Sequence, residues 1–395
     1  MKPKVLLHGG YIDEYGSFVK QGYLLIENEK IKYVGGLNPL TDDEEAETYE
    51  MPSGSIMVPG MIDLHIHGVL GADVMDGTEE ALSIMAKALP AEGTTSFLAT
   101  TMTENPLHIE EALTQTASFI EKQKPGSAEI AGIHLEGPFI SPKRAGAQPK
   151  GFIEMPNVER FRQWQDKARN QIKLVTLAPE MEGGLEFASY LSSNGIIASI
   201  GHSDSTFEEV KEGIKYGISH VTHLFNGMRG MHHRDPGVAG AALIQKELSV
   251  EMIVDGVHAS PEMTNLAYHS TGPDRTVLIT DSMRAKGLGE GTYTLGGQQV
   301  TVKNGRAYLA DGTLAGSILS MNDAVKNMMK FTNCSIADIV KITSVNAAKE
   351  LNIYDKKGSL SKGKDADITV LTDDYDVFMT FCRGELAYRR KEEKV

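Results

Sequence analysis

The stretch that decides the fold is Met57-Val-Pro-Gly-Met-Ile-Asp-Leu-His-Ile-His-Gly68. An apolar run with strand character ends in His65-Ile66-His67. Residues two apart on a strand project from the same face. Both imidazoles therefore face one point, as ligands of a metal ion must. Taken alone, the pair also reads as two polar residues where a strand becomes a loop. The test is whether ligand-type residues recur at the ends of later strands.

From residue 57 onward, short apolar runs alternate with helical patterns. The runs are Ile62 to His67, Ser96 to Thr100, Ile130 to Leu135, Leu174 to Leu177, Ile196 to Ile200, His220 to His223, Val250 to Val254 and Thr276 to Thr280. Between them, Glu79 to Leu89 carries Leu82, Met85 and Leu89 on one stripe, and His108 to Lys122 carries Ile109, Leu113 and Ile120. Thr206 to Tyr216 opens with Ser205 or Thr206 as N-cap. This alternation predicts an α/β fold, a (β/α)8 barrel. No fixed-length repeat is visible, which argues against solenoids and propellers.

At the C-terminal ends of the predicted strands stand His65, His67, Glu136, His202, His223 and Asp281. Barrels of this kind draw their catalytic residues from those ends. Four imidazoles and two carboxylates suit two borderline or hard divalent ions. Singly, Glu136 reads equally as a salt-bridge partner, His202 as a helix cap and His223 as a core histidine. Six such positions in one register are what point to a site.

Both chain ends read as β structure. Tyr23-Leu-Leu-Ile26 and Ile31-Lys-Tyr-Val34 flank the polar turn Glu27-Asn-Glu-Lys30, a hairpin pattern. Asp42-Asp-Glu-Glu-Ala-Glu47 reads as a solvated loop. Ala366 to Leu371, Val377 to Phe381 and Glu385 to Tyr388 return to β character. The expectation is a small β-sandwich-like domain of residues 1–55 plus 356–395, beside a barrel of 56–355. A glycine-rich β insertion at 287–313 is expected at the barrel mouth, with a hairpin turn at Asn304-Gly305. Helical patterns resume at Ser317 to Phe331 and Ser335 to Leu351.

The 395 residues are 41% apolar and 23% charged, an ordinary globular composition. No apolar run has membrane-spanning length, and the first ten residues are too weakly apolar for a secretory signal. Two cysteines, Cys334 and Cys382, argue against a disulfide framework and for a reducing cytoplasm. A net charge of −14 argues against nucleic acid and acidic membranes as partners. An anionic substrate would need a local cationic patch, and Arg229-Gly-Met-His-His-Arg-Asp235 offers one. The adjacent His232 and His233 receive no role. Met228 and Met283 read as adaptable filler.

With these motifs in view, the sequence resembles the amidohydrolase superfamily and, within it, the N-acetylglucosamine-6-phosphate deacetylases. The resemblance rests on Pro59 to Gly68, His134-Leu-Glu-Gly-Pro-Phe139, Gly201-His-Ser-Asp204, His220-Val-Thr-His-Leu-Phe-Asn-Gly-Met228, Asp255-Gly-Val-His258 and Thr280-Asp-Ser-Met283. It implies a two-ion centre of zinc or iron, with His65 and His67 on the first ion, His202 and His223 on the second and Glu136 bridging. Relatives that lack the His-x-His pair bind one ion, and this chain keeps the pair. The resemblance further implies hydrolysis of the acetamide of an amino-sugar phosphate, in amino-sugar catabolism and cell-wall sugar recycling. Asp281 would contact the metal and act as general base, then acid. His258 would bind the substrate, and Asn226 and Gly227 would donate backbone N–H groups to it. Arg234 would reach the active site of a neighbouring subunit in a homodimer. Ala147 and Gln148 would bind the substrate from a loop where many relatives carry a phosphate-contacting histidine, Gln148 donating to the phosphate through its uncharged amide. Two alternatives remain at this stage: another amidohydrolase chemistry (a cyclic amidase or a deaminase), and a non-catalytic scaffold.

Overall fold

Eight parallel strands succeed one another around a barrel: Met61–Ile66, Thr94–Thr100, Glu129–Glu136, Ile172–Leu177, Ile197–Ile200, Ile218–Val221, Ser249–Ile253 and Thr276–Ile279. The first and last meet through a parallel bridge between Ile66 and Ser282, and the Asp281 N–H donates to His65 O at 2.8 Å. These are the eight runs read from the sequence, so the predicted (β/α)8 barrel is present. The structure is a computed structural model describing residues 4–41 and 44–391. Residues 1–3, 42–43 and 392–395 lie outside the described residues. Parts of the leader, acidic-run and C-terminal readings fall there.

Local chemistry sets the helix limits. Thr206 caps Phe207–Lys215 in a reciprocal capping box with Glu209. The helix expected from His108 begins earlier, at Pro106–Ile120, because Asn105 caps it and proline suits its first turn. The helix expected from Ser317 begins only at Met321–Thr332, with Ser320 as cap. Ser317 is held instead by the barrel: its hydroxyl donates to Thr280 O at 2.6 Å and its backbone bridges to Ser282. The pattern from Ser335 to Leu351 is a helix interrupted by a π turn at Lys341–Val345. That turn carries the buried Ser344, whose hydroxyl donates to Gly60 O at 3.1 Å beneath the first strand.

Outside the strands the barrel core is apolar. Phe139, Phe161, Trp164 and Phe187 are all fully buried. Phe187 meets Phe139 and Phe161 edge-on at ring separations of 4.9 and 5.5 Å, the geometry aromatic quadrupoles favour.

Both chain ends build one second sheet. Its order is Glu385–Arg389, Val377–Cys382, Ile368–Leu371, Ile56–Pro59, Lys4–Ile12, Phe18–Glu27 and Lys30–Gly35, with Ala46–Glu50 added parallel to Lys4–Ile12. Lys4–Ile12 shifts register between Gly9 and Tyr11. Its first half pairs Ala46–Glu50, and Gly10 and Tyr11 pair Ile56 and Met57. Leu7, Leu24 and Ile26 from one arm thus share a core with Ile368, Met379 and Phe381 from the other. The two chain ends thus form a single, mostly antiparallel sheet. Ala46 and Glu47, read as solvated loop, are in a strand. The expected hairpin turn is Asn28-Glu29, joining Glu27 to Lys30.

The 287–313 insertion is a three-stranded meander, Gly291–Leu295, Gln298–Lys303 and Arg306–Tyr308. Asn304 and Gly305 have φ of 52° and 72°, the paired left-handed conformations of a tight hairpin turn. The strand Gly291–Leu295 adds to what the hairpin signal alone predicted. No helix among the described residues is long and apolar enough to cross a membrane. Cys334 and Cys382 are buried free thiols.

A buried cation locks the two sheets together. Lys357 Nζ lies 2.6 Å from Glu129 at the base of the third barrel strand, 2.5 Å from Asp367 and 3.2 Å from Asp365 beside the terminal sheet. Burial alone would lower the Lys357 ammonium, but Asp367, Glu129 and Asp365 hold it well above the ordinary lysine value. Removing one partner of a buried ion cluster strands the others without compensation. Lys357→Met is expected to lower the unfolding free energy by about 3–5 kcal/mol in a denaturant titration. A loss below about 1 kcal/mol, as for an exposed pair, would contradict the clamp.

Candidate active site

The six sequence-predicted donors converge at the C-terminal mouth of the barrel. His65 lies in the first strand and His67 just past it, while Glu136 ends the third. His202, His223 and Asp281 each stand two residues beyond a strand, with φ of 47°, 31° and 48°. Left-handed backbone at a non-glycine residue costs on the order of 1–3 kcal/mol and persists where the surroundings over-determine it. Here the Asp281 N–H is held by His65 O at 2.8 Å and the His223 N–H by Glu251 at 3.1 Å.

Glu136 is the centre of the cluster. Its Oε1 lies 3.1 Å from both His202 Nε2 and His223 Nε2, and 3.5 Å from His65 Nε2. Its Oε2 lies 3.3 Å from His67 Nε2. Asp281 Oδ1 lies 3.5 Å from His65 Nε2 and 3.3 Å from His67 Nε2. Two pairs of imidazole nitrogens face each other nitrogen to nitrogen, at 3.3 Å for His65 and His67 and 3.1 Å for His202 and His223. Every one of these side chains is at least nine-tenths buried. Convergent nitrogen lone pairs and carboxylates in a buried site form a donor set that fits divalent cations. The donors divide into His65, His67, Asp281 and Glu136, His202, His223.

The clustered groups shift one another's ionisation. Burial pulls His67 down, but Asp281 and Glu136 outweigh it and push it up to about 9. Burial pushes Glu136 up, but His65, His202 and His223 hold it well below the usual carboxylate range. Burial likewise opposes ionisation of Asp281, and His65 and His67 keep its carboxyl low. A divalent cation would take the place of protons on the imidazoles.

The donors floor a cavity of 280 Å³ also lined by Ala147, Gln148, Asn226, Gly227 and His258. His258 Nδ1 is tied to Asp255 Oδ2 at 2.7 Å, which leaves Nε2 for the cavity. Gln148 differs from the phosphate contact expected of it. Its amide donates to Glu136 Oε2 at 2.7 Å and accepts the Thr103 N–H at 2.8 Å, so both ends are engaged inside the protein. The Asn226 N–H, expected as a donor to substrate, is spent on His223 O at 3.0 Å, because the chain turns tightly there. Gly227 makes its close approach to the His202 ring: a Cβ there would lie 2.8 Å from Nδ1.

Arg234 is the one predicted site residue that does not join the others. It is exposed, with Nη1 at 2.7 Å from His233 Nε2, and no lysine or arginine among the described residues lines the cavity. The β insertion does reach the site. Leu295 lines the cavity, and Gln298 donates to Ala147 O at 2.6 Å.

Sequence reasoning passed over the residues behind the donors. Glu251 and His220 are fully buried, and Glu251 contacts His65 Nδ1 at 3.1 Å and His220 Nε2 at 3.2 Å. The available signal was charge: Glu251 stands inside the otherwise apolar run Val250 to Val254.

The amidohydrolase family model matches residues 56–387. A deacetylase of N-acetylglucosamine 6-phosphate from Bacillus subtilis is 48% identical over 376 residues, 95% of this chain and 94% of that protein. The solved N-acetylglucosamine-6-phosphate deacetylase of Thermotoga maritima superposes with a TM-score of 0.87 at 36% identity, covering 97% of this chain and 99% of that one. A mutant of the Mycobacterium smegmatis deacetylase in complex with N-acetyl-D-glucosamine-6-phosphate superposes with a TM-score of 0.91 at 29% identity, covering 98% of this chain and 100% of that one.

Two expectations follow from the geometry. Adding zinc to the metal-free protein in weak buffer near pH 7.5 is expected to release protons, because Asp281 and Glu136 push His67 up to about 9 and a cation would displace the proton they favour. Binding with no proton release would contradict the charge assignment. Gly227→Ala is expected to weaken zinc binding roughly 10-fold or more by displacing the His202 ring, read by competition with a chelator. Unchanged affinity would show that the ring is free to move.

Proposed function

This chain belongs to the amidohydrolase family, and we propose that it hydrolyses the acetamide of N-acetyl-D-glucosamine 6-phosphate to D-glucosamine 6-phosphate and acetate. The observation that carries the reading is the convergence of four imidazoles and two carboxylates on the floor of one cavity. The substrate is taken from relatives that resemble this chain over nearly its whole length.

Two divalent ions, zinc or iron, would be held by His65, His67 and Asp281 and by Glu136, His202 and His223, with Glu136 facing both sets. When bound, such ions lower the pKa of a water to about 7 and polarise a carbonyl. Asp281 is ionised by its imidazole neighbours and accepts the proton of the attacking water. Water oxygen bonds to the acetamide carbon, the C–N bond breaks, and Asp281 returns the proton to the departing nitrogen. His258, oriented by Asp255, presents Nε2 to the carbonyl oxygen of the substrate. The engaged amide of Gln148 orients Glu136 and leaves little for the phosphate.

A phosphate with no cation in its own cavity needs one from elsewhere. Arg234 supplies a permanently charged planar fork, and Met231, three residues before it, is an exposed apolar side chain that a second copy could cover. The proposal is a homodimer in which Arg234 enters the neighbouring cavity. A cytoplasmic setting fits the two free thiols.

Acetate release from N-acetyl-D-glucosamine 6-phosphate by the metal-loaded protein tests the activity directly, and its absence would overturn it. Asp281→Asn is expected to lose at least 10²-fold in kcat while retaining metal. A variant keeping most of its kcat would remove Asp281 from the mechanism. Arg234→Ala is expected to raise KM strongly. Refolding it together with Asp281→Asn is expected to recover activity in hybrid dimers, since one cavity then holds an intact Asp281 and an intact partner Arg234. No recovery would argue that Arg234 acts within its own subunit or not at all.

A further inference from the structure

Barrels of this architecture fill their interior with layers of bulky branched side chains. Beneath the six donors this one is polar instead. His134, His220 and Glu251 are fully buried there, and the proposed chemistry uses none of them. Glu251, in the seventh strand, is the hub. Its Oε2 lies 3.1 Å from His65 Nδ1 and accepts the His223 N–H at 3.1 Å. Its Oε1 lies 3.2 Å from His220 Nε2. His220 Nδ1 makes no hydrogen bond among the described residues but lies at an ion-pair separation of 3.6 Å from Glu350 Oε2, and Glu350 accepts the Ser249 hydroxyl at 2.5 Å. The file ends at the opposite face of the barrel, where Glu350 lines an open surface pocket.

We propose that Glu251 is a positioning residue: it fixes the Nδ1–H form of His65 and so turns the Nε2 lone pair of that ring toward an ion, with His220 and Glu350 holding it in place. The proposal rests on the two-ion reading above. An ionised carboxylate only accepts hydrogen bonds, so the ring nitrogen facing it carries the proton. The other nitrogen is then the one free to coordinate. A carboxylate behind a ligating imidazole also raises the basicity of the ring.

The other three rings lack this arrangement. His67 Nδ1 and His223 Nδ1 have no hydrogen-bond partner among the described residues, and His202 Nδ1 faces the neutral Arg144 carbonyl at 2.9 Å. Of the four proposed ligand rings, the charge of Glu251 therefore contacts one. Its contact with His223 is to backbone, which an amide oxygen also satisfies. Glu251→Gln should loosen the ion on the His65 side and spare the ion held by Glu136, His202 and His223.

The test is zinc-loaded full-length protein equilibrated with graded chelator, with retained metal and Tm measured together. Wild type is expected to hold two ions. Glu251→Gln is expected to bind one of them 10–100-fold more weakly and the other with wild-type affinity, with kcat falling in parallel and KM little changed. Glu350→Gln, at the part-exposed outer end (20% side-chain exposure), is expected to shift the same ion in the same direction by less. It serves should Glu251→Gln fail to fold. Two ions in wild type with both affinities unchanged in the variants, whatever their Tm, would overturn this inference and leave the two-ion reading intact. Fewer than two ions in wild type would overturn both.

Discussion

Everything at the barrel mouth depends on one carboxylate being shared. Glu136 directs Oε1 to His202 and His223 at 3.1 Å and Oε2 to His67 at 3.3 Å. In an apolar interior that charge would be prohibitive alone. Here the imidazoles compensate it, and it in turn holds them together. The same strand that ends in Glu136 begins at Glu129, which contacts the buried Lys357. One strand thus anchors the site at its top and the terminal sheet at its base.

The donors are aimed by backbone that is strained and by neighbours that keep it so. His202, His223 and Asp281 all have left-handed φ. Each is braced by a contact from another strand or loop: His202 Nδ1 by Arg144 O at 2.9 Å, the His223 N–H by Glu251 on the next strand, the Asp281 N–H by His65 O on the first. Gly201 and Gly227 permit this crowding, because a Cβ at either would lie within 2.8 Å of Thr222 or of the His202 ring. Precision in a site of this kind comes from such supporting contacts. The β insertion joins them by pinning the Ala147 carbonyl, one residue from the Gln148 amide that contacts Glu136.

Much of this was legible in the sequence because it follows local periodicity. Short apolar runs between helical patterns marked all eight barrel strands, and the six donors at their ends shared one register. The Thr206 cap and the Asn304-Gly305 turn also followed from short-range chemistry. What was not legible depends on tertiary partners. Ser317 looked helical until its contacts with Thr280 and Ser282 are seen. Gln148 looked free until its two ends are traced to Glu136 and Thr103. Glu251 and His220 belong to different strands, and nothing local announces that they meet. That no lysine or arginine among the described residues lines the cavity is a fact of three dimensions too, since Arg229 and Arg144 are drawn off to Asp204.

Glu136 would separate two cation positions, each completed by its own imidazoles. Anomalous diffraction at the zinc edge from crystals of the zinc-loaded protein tests it most directly. Two peaks are expected to flank the Glu136 carboxylate, one about 2.0–2.1 Å from His65 and His67 nitrogens and one at the same distance from His202 and His223. A single peak, or peaks that leave either histidine pair uncoordinated, would contradict it.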